Sequence, residues 1–582
     1  MKKLMLGNEA IARGAYEAGA TVAAAYPGTP SSEILSNFAK YDGVYAEWAP
    51  NEKVALEVGA GASVGGARTL VAMKHVGVNV AADPLYTLSY IGVNGGLVLV
   101  SADDPGMHSS QNEQDNRGYG RFAKVPVLEP SDSQEAKDFT KLAFSLSEEF
   151  DTPVILRTTT RLSHSQTLVE EGEREEIRIK EYRKNAAKYV MLPGYARLRH
   201  VEVEKRMLKL KEYVETTPLN RIEWGNKKIG IITSGIPYQY VKEVLPDASV
   251  LKLGITNPLP EKLIRDFAAE VERLIVIEEL EPVIEEHVKA LGIKVEGKNL
   301  FSVLGEYSPE LIEEKIKGIK VQSAGDLSSE IPARPPLMCP GCPHRGVFYT
   351  LRKKKLVVTG DIGCYTLGAL SPLEAMDTCL CMGASIGMAL GMEKARGREF
   401  AKKTVAVIGD STFVHSGITA LIDVVYNKGV STVLILDNDT TAMTGHQDHP
   451  ATGITLKNEP TYKLDLPTLV KAVGVEHIRI VDPLNLEEFE KTLDEELNRE
   501  APSVIIAKRP CALLKKDRIP SKIKYYIDDE ICTGCKQCIR VGCTGVYFDE
   551  ETKKAKINLK TCVACGLCPQ ICKFDAIKVM EG

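Results

Sequence analysis

No apolar run in this 582-residue chain reaches the roughly 20 residues that a bilayer crossing needs. The N-terminal 25 residues carry Lys2 and Lys3 but no continuous apolar stretch, so no secretory leader is expected. A basic surplus is missing too. The 73 Lys and Arg residues face 78 Asp and Glu, and the net charge of −5 argues against a general nucleic-acid binder. Read together, these absences point to a cytoplasmic protein that uses neither membrane nor nucleic acid. In that compartment the 14 cysteines are expected to be reduced ligands or catalytic groups rather than disulfides.

What is present is α/β patterning, repeated. The length suggests roughly three to five domains. Residues 1–165 alternate helical and strand patterns: Asn8 is placed to cap a helix reaching Ala18, and residues 69–73, 96–100 and 154–157 read as buried parallel strands. Residues 166–225 form a charged connection, with a Glu/Lys/Arg run at 169–189. A second α/β unit spans 226–320, with strands at 228–232, 249–252 and 273–277. A Pro/Ser/Gly linker covers 321–336. A third α/β unit, 337–518, has strands at 356–358, 404–408, 432–436 and 503–507. A cysteine-rich tail, 525–582, closes the chain.

The tail holds Cys532, Cys535, Cys538 and Cys543, then Cys562, Cys565, Cys568 and Cys572. Three of the four positions repeat at an offset of 30, as in an internal duplication. Thiolates at C-x2-C-x2-C spacing hold three corners of an iron–sulfur cubane, and the fourth cysteine of each set reaches the other cluster. One cluster is therefore assigned to Cys532, Cys535, Cys538 and Cys572, the other to Cys562, Cys565, Cys568 and Cys543. Zinc would favour two separated C-x2-C knuckles per ion, which the third cysteine of each run disfavours. The first set ends with a four-residue gap, and no proline follows Cys543 or Cys572. That leaves the first cluster open between four and three irons.

In the third unit, Gly409-Asp410-Ser411 ends one apolar strand and Asp437-Asn438-Asp439-Thr440 ends the next, with a helix expected from about Ser416 to Asn427. A right-handed βαβ crossover makes the two strands parallel and puts Asp410 and Asn438 at their carboxyl ends, where open α/β sheets bind ligands. A carboxylate, an amide oxygen and a backbone carbonyl suit Mg²⁺ with a diphosphate. The helix start favours an anion.

These residues resemble the thiamine diphosphate signature Gly-Asp-Gly followed by Asn-Asn, departing from it at Ser411 and Asp437. On that resemblance Asp410, Asn438 and the Thr440 carbonyl hold Mg²⁺. Asn51-Glu52-Lys53-Val54-Ala55 resembles the Asn-Glu-x-x-Ala stretch of the pyrimidine-binding domain, which makes Glu52 the cofactor activator. That role asks for a dry carboxyl of raised pKa.

Thiamine diphosphate and a ferredoxin tail in one chain resemble the 2-oxoacid:ferredoxin oxidoreductases, and within them the large subunit of the indolepyruvate branch. The likeness rests on Tyr26-Pro27-Gly28-Thr29-Pro30-Ser31-Ser32, Met338-Cys339-Pro340-Gly341-Cys342-Pro343-His344-Arg345-Gly346, Asp361-Ile362-Gly363-Cys364-Tyr365, Cys381-Met382-Gly383-Ala384-Ser385, Gly409 through Gly417, and Met443-Thr444-Gly445-His446-Gln447. It implies two thiamine diphosphate-binding doubly wound domains, a transketolase C-terminal-like α/β domain and a two-cluster ferredoxin-like domain. The implied activity is oxidative decarboxylation of arylpyruvates to aryl-acetyl-CoA with reduction of ferredoxin; the alternatives are another 2-oxoacid specificity within the same family, or a non-oxidative thiamine diphosphate-dependent decarboxylase. The implied partners are a smaller beta subunit in an alpha2-beta2 complex, ferredoxin, coenzyme A and the 2-oxoacid. Gly363, Cys364, Gly383, Gly409 and Ser411 would line the cofactor. His344, Thr29 and Arg117 are candidates for the substrate carboxylate.

Cys339, Cys342, Cys364 and Cys511 resemble the ligands of a third cluster beside the thiamine. A zinc knuckle at Cys339 and Cys342, or buried unliganded thiols, remain alternatives. Cys379 and Cys381 read as packing or cofactor-wall residues. No P-loop-type glycine-rich segment marks a coenzyme A site.

Overall fold

The apolar runs expected as strands are strands, most of them extended by a residue or two into flanking Ser, Thr, Lys or Asp. The computed structural model describes residues 1–320, 331, 335–514 and 523–580. The linker expected at 321–336 and the last residues of the 337–518 unit therefore lie largely outside the described residues. The chain divides into two compact units, residues 1–330 and 331–582.

In the first unit a seven-stranded sheet runs in the order Ile255–Asn257, Val127–Leu128, Val154–Thr159, Leu97–Asp103, Thr69–Lys74, Val22–Ala25, Tyr45–Trp48. Every neighbouring pair is parallel except the first. The central strands are buried along their whole length, which is why they read as continuous apolar runs rather than alternating ones. The chain leaves Val22–Ala25 toward one edge and Thr69–Lys74 toward the other. The crevice at their carboxyl ends is thus a topological switch point, the place where such sheets bind ligands. The loop after Ala25 carries Gly28 and Thr29, and the turn after Lys74 carries His75.

The first helix runs Gly7–Glu17 with Leu6 as its cap, so Asn8 is not the cap expected from its type. Its buried amide instead donates to the Pro30 carbonyl at 2.7 Å and to Glu33 at 3.0 Å. A residue that competes for backbone at a helix end has been turned to hold the Thr29 loop.

The charged stretch is more structured than a connection. Gln166–Glu170 pairs antiparallel with the N-terminal strand Lys2–Leu6. Residues 171–185 carry no helix or strand and run along the first sheet's domain, with the Lys180 amide bonded to the Gly66 carbonyl at 3.0 Å. A 22-residue helix, Pro193–Val214, follows, and only Val203, Arg206, Leu210 and Val214 of it are buried.

The second sheet of this unit is ordered Arg273–Ile277, Asn226–Ser234, Ala248–Leu253, Arg221–Glu223. It meets the first sheet through a buried ionic cluster. Arg117 bonds Asp115 and Glu278, each at 2.6 Å, and Arg157 bonds Asp103 at 2.7 Å and Glu129 at 2.9 Å. Such charges persist only because each is paired; removing one partner of a buried pair costs about 3–5 kcal/mol. The cluster also carries an excess carboxyl. Glu279 is buried, accepts the Tyr307 amide at 2.8 Å, and is pushed by burial up to about 7.

The carboxyl therefore loses its proton at lower pH in the unfolded chain than in the folded one. Its contribution to stability falls as pH rises from the ordinary carboxylate range toward 7. Glu279→Gln is expected to raise the unfolding temperature at pH 8, by an effect on the order of 3 kcal/mol, and to leave it nearly unchanged at pH 5. Thermal scans at the two pH values check this; equal shifts at both would rule it out.

The second unit is built on a six-stranded, all-parallel sheet ordered Thr378–Cys379, Val357–Gly360, Thr404–Gly409, Thr432–Asp437, Ser503–Lys508, His477–Val481. Its switch point lies between Val357–Gly360 and Thr404–Gly409, so the loops starting at Asp361 and Asp410 flank one crevice.

The tail is two small antiparallel ribbons, Lys524–Ile527 with Ile577–Met580 and Val546–Asp549 with Lys554–Ile557. Each third cysteine rides on a short helical turn, Cys538 in Gln537–Val541 and Cys568 in Leu567–Ile571. Val541, Leu567 and Ile571 pack on Leu484 and Leu486, and Gln570 donates to the Leu484 carbonyl at 2.8 Å, seating the tail on the six-stranded domain.

Candidate active site and cysteine quartets

The helix after Thr404–Gly409 starts at Asp410 itself rather than near Ser416. A short helical turn, Asp410–Thr412, continues through a π-helical turn, Phe413–Gly417, into Ile418–Tyr426. The mixed polar run Ser411 to Gly417 hides this start from a periodicity reading. Asp410 thereby sits at the positive end of the helix, 2% exposed. One of its oxygens accepts the amides of Asn438 at 3.1 Å and Asp439 at 3.0 Å, and the other accepts the Ser411 amide at 2.8 Å. Asn438 and Thr440 are buried beside it.

His449, which the sequence did not single out, lies 3.3 Å from the Asp410 carboxylate. Burial pulls its pKa down, but Asp410, Asp437 and Asp448 outweigh burial and raise it. Asp437 is raised by burial and by Asp410. Carboxylates crowded into a dry strand end fit a divalent cation. The glycines beside it are required by close packing of the protein on itself. A methyl group on Gly409 would meet the Tyr365 ring at 2.8 Å. Gly383 has φ of +89° and would meet the Ser416 hydroxyl.

Asp361 shapes the same crevice. Its carboxylate accepts the amides of Ile362 and Gly383 at 2.8 Å each and of Ser385 at 3.0 Å, fixing the Gly383 loop. Ser411 takes a bond from the Thr441 hydroxyl at 2.9 Å. Gly363 abuts the Tyr365 ring, whose hydroxyl donates to the Ile362 carbonyl at 3.0 Å. His344 is 3% exposed and edge-on to Tyr365. Burial lowers its pKa to about 4, against the pull of Asp410, so its imidazole is neutral at pH 7. Cys379 and Cys381 are exposed, which removes the packing reading and leaves the cofactor-wall one.

In the first unit Glu52 opens the helix Glu52–Val64, with the Asn51 side chain capping the Val54 amide at 2.9 Å. Glu52 is buried against Gly77: a methyl group there would lie 2.7 Å from the Glu52 carboxylate. Gly77 follows Lys74 and His75 at the switch point. The Lys74 stem packs on Gly28, and its ammonium donates to the Ser109 carbonyl at 2.6 Å. Ser109 in turn bonds the Thr29 carbonyl at 3.4 Å. Burial lowers Lys74 to about 8, with Asp104 opposing. Lys74, also missed in the sequence, is therefore the cation beside Thr29. Arg117 is not available for a substrate carboxylate, because Asp115 and Glu278 already neutralise it in the buried cluster.

The cysteines gather into groups. Cys543, Cys562, Cys565 and Cys568 line one cavity, together with Pro340, Gly341 and Arg345. Cys532, Cys535, Cys538 and Cys572 line another. The fourth cysteine of each sequence set thus faces the other set's cavity. Amides of Gly545, Ala564 and Ala576 approach the sulfurs of Cys543, Cys562 and Cys572 at 3.3–3.4 Å. Among the described residues no three His, Cys, Asp or Glu side chains close tightly enough to hold a single ion; a cubane spreads its ligands over four corners.

A further group forms at Cys339, Cys342, Cys364 and Cys511. Burial pushes Cys342 up to about 12 and Cys364 up to about 11, and members of this quartet raise one another further. The Cys511 amide bonds the Asn438 carbonyl at 3.0 Å, which sets this quartet beside the Asp410 site.

Three family models match the chain: "Pyruvate flavodoxin/ferredoxin oxidoreductase, thiamine diP-bdg" over residues 13–216, "Thiamine pyrophosphate enzyme, C-terminal TPP binding domain" over 361–507, and "4Fe-4S dicluster domain" over 524–573. The indolepyruvate oxidoreductase subunit IorA of Archaeoglobus fulgidus is 45% identical over 99% of this chain and 97% of its own length. The Pyrococcus horikoshii subunit of that name is 43% identical over 100% and 97%. The 2-oxoglutarate synthase subunit KorA of Archaeoglobus fulgidus is more distant, 26% identical over 54% of this chain. With relatives this similar along nearly the whole length, the chain belongs to the family of the indolepyruvate oxidoreductase IorA subunits.

Proposed function

We propose that this chain is the thiamine diphosphate-binding, electron-exporting subunit of an indolepyruvate:ferredoxin oxidoreductase. Its substrates are arylpyruvates of the indolepyruvate and phenylpyruvate type. Coenzyme A takes the acyl group and ferredoxin takes the electrons. The observation that carries this reading is that one compact unit holds the Asp410 site and, adjoining it, the cysteine groups.

Thiamine diphosphate, when bound, supplies the nucleophilic carbon and the electron sink. Asp410, Asn438 and the Thr440 carbonyl would hold Mg²⁺ against its diphosphate. Gly363, Gly383, Gly409 and Ser411 give the backbone close approach. Glu52 is the carboxyl that would share a proton with the aminopyrimidine of the bound cofactor. His344, held neutral, offers a hydrogen bond without a charge. The two tail quartets would each hold an iron–sulfur cluster, and the quartet of Cys339, Cys342, Cys364 and Cys511 is the candidate for a third, which the iron count per chain decides. A smaller beta subunit completes an alpha2-beta2 complex, and the reduced thiols suit the cytoplasm. Among the described residues no helix is long and apolar enough to cross a membrane.

Lys74 with Thr29 would hold the substrate carboxylate. Lys74→Met is expected to raise KM for the 2-oxoacid about tenfold or more, the loss of one charge-assisted hydrogen bond, with a smaller change in kcat. Because Lys74 titrates near 8, parent KM should climb above that pH as the ammonium is lost. Lys74→Arg should flatten the climb. Steady-state kinetics from pH 6.5 to 9.5 decide this, and an unchanged KM in the Met variant would sink the assignment.

The function itself is tested by mixing the purified chain, with and without its partner subunit, with indolepyruvate or phenylpyruvate, coenzyme A and ferredoxin or a viologen dye. Acyl-CoA formed in step with acceptor reduction is expected. Aldehyde release without reduction would instead indicate a non-oxidative decarboxylase.

A further inference from the structure

Arg345 is a guanidinium in the wrong place for a solvent-facing cation. It is 2% exposed. Its Nε donates to the Cys339 carbonyl at 3.0 Å and its Nη2 to the Met338 carbonyl. Its Nη1 donates to the carbonyls of Val541, at 3.1 Å, and Gly542, on the turn that leads into Cys543. The side chain therefore ties the Cys339 loop to the Cys543 turn. Among the described residues no carboxylate pairs with it. The ionisable groups that act on it most strongly are Cys543, Cys342, Cys339 and Cys565, two from the inner tail quartet and two from the quartet beside the Asp410 site.

Four neutral carbonyls take four of its five N–H donors and none of its charge. An uncompensated buried charge is costly, and arginine does not shed its proton to escape that cost. Four thiolates holding an iron–sulfur cluster are net anionic, and reduction adds one further negative charge. A fixed positive charge beside such a cluster favours the reduced form, since net charge and polar surroundings set cluster potentials.

We propose that Arg345 is the fixed counter-charge of the inner tail cluster, the one held by Cys543, Cys562, Cys565 and Cys568, and that it raises that cluster's potential above that of the outer tail cluster. The geometry distinguishes the two tail sites. Pro340, Gly341 and Arg345 line the inner cavity, whereas the cavity of Cys532, Cys535, Cys538 and Cys572 has none of them. The step is a one-electron reduction. No bond breaks and no proton need move, because the compensating charge is already in place.

The inference rests on the reading of the quartets as cluster sites. Iron content of the anaerobically purified parent tests that reading separately: fewer than about seven irons per chain, the content of one four-iron and one three-iron cluster, would remove the site before any potential is measured. Given that content, Arg345→Gln and Arg345→Lys are compared by redox titration followed by electron paramagnetic resonance. In the Gln variant the reduced-to-oxidised ratio of the inner cluster at fixed potential should fall about tenfold or more, equivalent to about 59 mV for a one-electron couple. The Lys variant should stay near the parent, and the outer cluster should not move. A Gln variant that loses the inner cluster while the Lys variant keeps it at the parent potential also supports the charge role. Equal potentials in parent and Gln variant, or equal shifts in both variants, overturn it. So does loss of about four irons from both, which would make Arg345 a structural clamp.

Discussion

Glu52→Gln is expected to lower ferredoxin reduction by about 10²–10⁴-fold, the range over which a positioned acid–base group acts. The substitution keeps the volume and the hydrogen-bonding shape of the side chain and removes only its ability to exchange a proton. The helix should survive it. Asn51, not Glu52, provides the cap at the start of Glu52–Val64, and one first-turn carboxylate contributes at most about 2 kcal/mol to a helix. Iron content, unfolding temperature and thiamine diphosphate affinity should therefore stay near the parent while turnover collapses. Gly77→Ala gives an independent check. An added methyl group would lie 2.7 Å from the Glu52 carboxylate, so the carboxylate must move, and a shift of this size at a reacting group can cost about 10²-fold. Turnover within twofold of the parent in Glu52→Gln would mean that another group activates the cofactor.

What the sequence revealed and what it hid follow from how local each feature is. The cysteine groups are legible because the spacing a cluster asks for is written along the chain, and the two cavities gather the same crossed sets. Asp410 and Asn438 are legible because each ends an apolar strand of one βαβ unit. The start of the helix at Asp410 was not, since its first turns carry polar residues and a π-helical turn that break the 3.6-residue period. The helix Pro193–Val214 was hidden for a related reason. With four buried residues in 22 it has almost no apolar face to read. Arg117 illustrates the harder limit. Nothing near it in sequence announces Glu278, 161 residues away, which fixes it as a structural cation. Lys74 gains its meaning the same way, from Gly28 on one loop and Ser109 on another.

The pairing of the tail cysteines leads to the second large effect. Cys543 belongs by sequence to the first set, after the irregular four-residue gap, yet it lines the cavity of Cys562, Cys565 and Cys568. Cys543→Ser should therefore damage the second set's cluster and spare the cluster of Cys532, Cys535, Cys538 and Cys572. Loss of a ligand should cost at least the roughly 10–100-fold in activity or metal affinity that follows loss of the outer partners of metal ligands. Acceptor reduction should fall accordingly while cofactor binding at Asp410 persists. The irons counted per chain should drop by about four if the cluster is lost outright, or by about one if a three-iron cluster remains. Cys572→Ser should do the mirror image, removing the outer cluster alone. Electron paramagnetic resonance of the two variants separates the cases, because each would retain the signal that the other lacks. If Cys543→Ser instead erased the signal of the first set, the ligands would follow sequence order, and the cavities would be misassigned. The parent count carries its own message. About eight irons would match the tail alone, whereas about twelve would require the quartet of Cys339, Cys342, Cys364 and Cys511 to be filled. In that case Cys364→Ser should remove about four irons while leaving both tail signals in place.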